Sequence, residues 1–250
     1  MKSLLFAFQF LSRVPIKINI DLNKSVIEKA ILFFPIVGLF LGIINYITII
    51  LFNYLKVDPI IISFILLAQN QIYTGAMHLD GLSDYFDGIF SNRPKERIIE
   101  IMKDSHIGVF GSVSIFFLLL GKLIALRSIV VYSPTTILFV FMLSRVFLMN
   151  SLKKDVISES KLGRFFSENV NRSLVNIFTI IIIILIVLFS IFTYNYNIII
   201  SIVVGYLTRK FLEYKAIKVL GALNGDVYGT IVEISELMMM ITLGATWNLY

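Results

Sequence analysis

The residues best suited to chemistry are three aspartates in one short stretch, Met77 to Gly88, which reads MHLDGLSDYFDG. Asp80, Asp84 and Asp87 stand at offsets of four and seven, which return to nearly the same side of an α-helix. A helix over this stretch therefore carries three carboxylates on one stripe. Like charges so arranged repel, and a cation between them relieves the repulsion. Oxygen-only ligands suit a hard cation such as Mg2+, commonly shared with a phosphate. The plain alternative is a solvated acidic helix end, and the apolar segment directly before the stretch argues against it. Gly81 and Gly88 flank the aspartates. They either let a phosphate-bearing ligand approach the backbone or end helical turns.

Three further groups extend the list. Lys103-Asp104-Ser105-His106 offers Lys103 and His106 to a phosphate. Asn224 and Asp226 sit in GALNGDVYG. Glu233 and Glu236 are three apart on one helix face, and Asp226 and Glu233, seven apart, share a stripe. The glutamates either complete the site or pair with Lys122 or Arg145 to hold helices together. His78 and His106 are the only histidines and there is no cysteine, which argues against a zinc site. Neither a GxxxxGK[ST] loop nor a GxSxG elbow is present. Clustered carboxylates, Mg2+ and a nearby lysine are the parts of a phosphoryl-transfer site, in which a carboxylate orients or deprotonates an attacking hydroxyl.

The elements that must position these groups are membrane helices. Apolar residues make up 58% of the chain and charged residues 15%, and mean hydropathy is +0.88, too apolar for a soluble globular protein. The expected fold is all-α, one polytopic bundle over residues 1–250. Its seven spans start near Ala30, Pro59, Ile107, Pro134, Leu174, Asn197 and Val227, the last ending near Leu249. Gln69, Asn70 and Gln71 in the second span are expected to face the protein interior. Amphipathic interfacial helices are expected at the N-terminus, which lacks a signal-peptide cleavage pattern, and in RPKERIIEIMKD, with Ile98, Ile101 and Met102 on one side.

With the N-terminus inside, 18 of the 22 Lys and Arg residues fall in loops on one side and two on the other, as the positive-inside rule requires. The net charge of +6 therefore reports topology and implies no nucleic-acid partner. All three acidic groups, up to Asp226, fall on that same cytoplasmic side.

At these residues the chain resembles a specific family, the cobalamin synthases, that is, adenosylcobinamide-GDP ribazoletransferases. The likeness is carried by HLDGLSDYFDGIF (78–90), ERIIEIMKDSHIGVFG (96–111), FLSRVP (10–15), FPIVGLFLG (34–42) and NGDVYGTIVEISEL (224–237). The middle, from about 120 to 215, matches only in hydropathy. The resemblance implies a multi-pass, Mg2+-dependent enzyme of the cell (inner, cytoplasmic) membrane. It joins adenosylcobinamide-GDP to α-ribazole or its 5′-phosphate, yielding adenosylcobalamin or its 5′-phosphate and GMP. Mapped here, Asp80, Asp84 and Asp87 hold Mg2+; Lys103, Asp104, Asp226 and Glu233 are the catalytic candidates. His78, Gly81, Gly88, His106, Asn224 and Glu236 are the substrate-binding candidates. The partners so implied are the corrinoid nucleotide, α-ribazole and the bilayer, with room for a complex with other corrinoid-assembly enzymes and for an oligomer. Two departures stand out: His106 replaces the family's usual Arg after Asp-Ser, offering one donor in place of a fixed fork, and Lys17 stands where a second proline is usual.

Two other classes compete. A CDP-alcohol phosphotransferase-like lipid enzyme calls for a DG-x2-AR-x8-G run, and the sequence has none. An ion-coupled transporter using Glu233, Glu236 and Arg145 calls for paired broken helices in two repeats, and no such repeat is visible.

Overall fold

Polar residues and prolines mark where the apolar runs become separate helices. In the computed structural model, which describes residues 1–157 and 160–245, α1 (Lys2–Leu11) is followed by α2 (Lys24–Leu32), whose start is capped by the Asn23 side chain accepting from the Val26 N–H at 3.0 Å. A break at Phe33 separates α2 from α3 (Phe34–Tyr54). Asp58 caps α4 (Pro59–Thr74), with Pro59 supplying a first residue that needs no hydrogen-bond partner. Then come α5 (Met77–Phe90), α6 (Lys95–Met102) and α7 (Val109–Tyr132). A short turn, Pro134–Thr136, leads into α8 (Ile137–Ser151). The chain continues through α9 (Lys161–Ser167), α10 (Arg172–Phe192), α11 (Asn197–Leu220) and α12 (Gly225–Ala245). The described residues contain no β-strand, so the all-α expectation is met. Residues 246–249, the end of the expected last span, lie outside the described residues.

The span count differs from seven. Among the described residues, five helices are long and apolar enough to cross a membrane, or six if α4 and α5 count as one broken span. Two expected spans fall short for different reasons. At 16 residues α4 is short, and every full-length window of α11 contains Arg209, Lys210 and Glu213. The first span begins at Phe34 rather than Ala30. The N-terminal helix packs on α2 and α3, with Ala7 and Leu11 fully buried.

Two features place the chemistry. The first is a 91° turn between α4 and α5, made by consecutive left-handed residues, Gly75 (φ +65°) and Ala76 (φ +56°). The Arg13 N–H donates to the Tyr73 carbonyl at 2.6 Å, tying FLSRVP to this corner. The second is the central helix α12, which packs on α5, α7, α8 and α11. Of the expected interior polar residues, Asn70 exchanges side-chain hydrogen bonds with Asn45 at 2.9 Å and Gln69 Oε1 accepts from Thr48 at 3.0 Å, while Gln69 Nε2 and Gln71 Oε1 are buried without a partner among the described residues. Gly42 lets α3 lie on α8 so closely that a Cβ there would stand 2.8 Å from the Leu138 Cα.

Candidate active site

Helices α5 and α12 cross at glycines. A Cβ on Gly81 would stand 2.9 Å from the Asp226 Cα, and one on Gly229 would stand 2.8 Å from the His78 carbonyl oxygen. This close crossing brings the acidic stripe of α5 to the first turn of α12. Asp84, half-buried, lies within electrostatic reach of Asp226, Asp80 and Asp87, and Asp226 within reach of Asp80. No lysine, arginine or histidine among the described residues forms an ion pair with Asp80, Asp84 or Asp226. The Asn224 amide donates to Asp226 Oδ2 at 2.8 Å while its own Oδ1 accepts from the Val227 N–H at 3.0 Å. Asn224 thus caps α12 and fixes the Asp226 carboxylate.

Beside the crossing is a cavity of about 170 Å3. Asp80, Gly81, Gly225 and Asp226 line it together with His78 and Tyr228. The remaining wall is apolar, built from Phe10, Phe34, Phe166, Leu148 and Leu152. Phe166 packs on Phe10 with ring centroids 4.7 Å apart and on Phe34 at 5.8 Å. Two buried polar atoms here lack a partner among the described residues, His78 Nδ1 and the Tyr228 hydroxyl. Orphaned buried polar atoms are costly and call for a ligand or water. Phe10, Phe34, Phe166 and Tyr228 escaped the reading of chemistry from sequence, because aromatic residues in apolar helices carry no local signal. The signal available was indirect: three of them lie inside FLSRVP, FPIVGLFLG and NGDVYG.

Several expected site residues do other work. Asp87 accepts from the backbone N–H groups of Gly108 at 2.7 Å and Gly111 at 2.9 Å. It caps α7, satisfying donors that a helix start leaves open. Gly88 neither ends a helix nor faces a ligand: a Cβ there would stand 2.6 Å from Met102 Cγ, so its face is covered by α6. Of the predicted apolar side of α6, Ile98 and Met102 are buried and Ile101 is half-buried. Gly81 lines the cavity, but its missing side chain admits the α12 backbone.

Glu233 and Glu236 follow the structural alternative. Both are buried, and Lys122 Nζ lies 2.6 Å from Glu233 and 2.7 Å from Glu236. Arg145 pairs with Glu236, which also accepts from Ser144 at 2.9 Å. This cluster joins α7, α8 and α12 and lines a separate small pocket. Its two cations offset its two carboxylates, and Arg145 Nε alone of the cluster is buried without a partner among the described residues.

Lys103, Asp104 and His106 remain on the exposed loop between α6 and α7 and do not line the cavity. His106 Nδ1 lies 2.6 Å from Asp104 Oδ1, and the His106 backbone N–H donates to the same oxygen at 3.0 Å. Hydrogen bonds from the His106 backbone and ring hold the Asp104 carboxyl below its ordinary pKa, which makes it a weak base for a hydroxyl proton. The Asp87–Gly108 bond anchors this loop one helical turn beyond Asp84.

Among the described residues, no three acidic or histidine side chains converge as a ready-made metal cage. The donor set still fits Mg2+, which keeps several waters and is held through one or two carboxylates plus substrate phosphates. Asp80, Asp84 and Asp226, none of them in an ion pair among the described residues, supply carboxylates of that kind.

The described family model for cobalamin-5-phosphate synthase matches residues 3–244. A protein of Clostridioides difficile named adenosylcobinamide-GDP ribazoletransferase is 33% identical over 249 residues, covering 96% of each chain. Similarly named proteins of a Thermoanaerobacter species and of Clostridium novyi are 32% and 33% identical, the first over 96% of each chain and the second over 97% of this chain and 96% of its own. No solved structure matches the chain.

Proposed function

The chain belongs to the cobalamin-5-phosphate synthase family, and on that premise we propose that it transfers the adenosylcobinamide-phosphate group of adenosylcobinamide-GDP to α-ribazole or its 5′-phosphate, with Mg2+, at the cytoplasmic face of the cell membrane. The observation that carries this reading is one of convergence. The stretches around Phe10, Phe34, His78 and Tyr228, far apart in sequence, meet at one cavity whose mouth holds Asp80 and Asp226.

The chemistry follows from that arrangement. Asp80 and Asp84 would hold Mg2+, with Asp226 completing the set or acting as base. When bound, the metal neutralises charge developing on the diphosphate. Asp226, oriented by Asn224, takes the proton of the ribazole 3′-hydroxyl. That oxygen bonds to the cobinamide-side phosphorus, the bridging P–O bond breaks, and GMP departs with the bridging oxygen. Lys103 and His106, on the loop anchored by Asp87, meet the leaving phosphate. The apolar cavity takes the ribazole base; its volume is close to that of apolar cavities, ~150 Å3, that admit a benzene ring. The Tyr228 hydroxyl donates to the free ring nitrogen of that base.

The test is a transfer assay with purified protein in liposomes, following GMP and the corrinoid product with both substrates present. Stoichiometric formation of both supports the reading. A well-folded protein that makes neither, with either form of ribazole, contradicts it.

A further inference from the structure

Between α8, α10 and α11 runs a second groove, of about 260 Å3, away from the carboxylate site. Its walls are Phe147, Ile183, Ile202 and Val203, and one end is formed by Asn150 and Arg209. Arg209 is only 6% exposed, yet its Nε has no partner among the described residues. Its guanidinium lies over the Tyr206 ring at 5.2 Å, and its one carboxylate contact is a loose 3.4 Å to Glu213. Glu213 is already shared: it accepts from Ser151 at 2.8 Å and stands 3.9 Å from Lys210 Nζ.

Lys153, just beyond α8, joins this group. It donates to Asn150 at 2.7 Å and to Asn176 at 2.6 Å, both neutral. Burial, and then the charges of Arg209 and Lys210, hold its ammonium below the ordinary lysine pKa. Three cations therefore face a single carboxylate at the end of an apolar groove on a membrane helix bundle. A buried guanidinium with an open donor is an expensive thing to leave unmatched. Basic pockets between membrane helices suit anionic lipid head groups.

We propose that this groove is a binding site for an anionic phospholipid, with an acyl chain along Phe147, Ile183 and Val203 and the phosphate between Arg209, Lys210 and Lys153. Guanidinium suits phosphate through its planar fork of donors. The site shares no residue with the transfer chemistry.

The test is native mass spectrometry of the full chain released from nanodiscs that contain phosphatidylglycerol and phosphatidylcholine in equal amounts. The wild type retains phosphatidylglycerol in preference, and Arg209→Gln lowers that retention about fivefold. Val203→Trp, which fills the groove and keeps every charge, lowers it as well, and Lys210→Gln gives a smaller loss if Arg209→Gln does not fold. Equal retention of the two lipids, or retention unchanged in Val203→Trp and the charge variant, overturns the proposal. Glycerol 3-phosphate alone binding as tightly as the lipid would assign the site to a free phosphate and overturn it too.

Discussion

Gly81 and Asp226 sit back to back, so close that a methyl group on Gly81 would press on the Asp226 Cα at 2.9 Å. That contact sets how near the α5 carboxylates come to the start of α12. Gly81→Ala forces the two backbones apart, an overpacking expected to cost ~1–3 kcal/mol. The expected result is a modest fall in melting temperature and a much larger fall in transfer rate, read by thermal denaturation and GMP release on the same preparation.

Asp84→Asn and Asp87→Asn separate chemistry from architecture. Asp84 lies among other carboxylates, so neutralising it relieves repulsion. Its asparagine variant keeps or gains stability and loses transfer. Asp87 is a helix cap, and its asparagine variant loses ~1–2 kcal/mol of stability and retains measurable activity. Denaturation curves and initial rates of the two variants, side by side, check this.

The Lys122–Glu233–Glu236–Arg145 cluster is predicted to be structural. Lys122→Met leaves Glu233 buried without its cation, which costs ~3–5 kcal/mol. Adding Glu233→Gln to Lys122→Met recovers most of that loss, and the double variant retains transfer. A double variant that folds as well as wild type but makes no GMP would return Glu233 to the catalytic group.

Tyr228→Phe removes one hydroxyl from the cavity and nothing from its shape. The loss of one hydrogen bond worth ~1 kcal/mol raises the KM for α-ribazole about fivefold, leaving the KM for the corrinoid nucleotide unchanged. Steady-state kinetics with each substrate varied in turn test this.

The helical stripe of Asp80 and Asp84 could be read from spacing alone, because helical periodicity is a local property. Local patterning also exposed the buried face of α6 and the inward polar residues of α4. What stayed hidden depends on distant partners. Nothing near Asp87 announces that its carboxylate caps a helix starting 21 residues later. The 91° corner rests partly on Ala76 in a left-handed conformation, which alanine seldom adopts, so no sequence rule marks it. Gly81 and Gly88 looked like ligand approaches or helix ends; their neighbours, Asp226 and Met102, come from other helices. The glutamates were legible only as a choice between two roles, and the packing of α7 against α12 decides it by placing Lys122 between them.

The central claim is that Asp80 and Asp84 hold Mg2+ at the diphosphate, with Asp226 as the base. The most direct test is a Mg2+ titration of GMP release from adenosylcobinamide-GDP and α-ribazole 5′-phosphate, run on wild type and Asp84→Asn in liposomes. The account predicts saturable Mg2+ activation of the wild type, abolition by EDTA, and no activity in a folded Asp84→Asn at any Mg2+ concentration. Transfer that persists in EDTA, or an Asp84→Asn variant with the wild-type Mg2+ response, would contradict it.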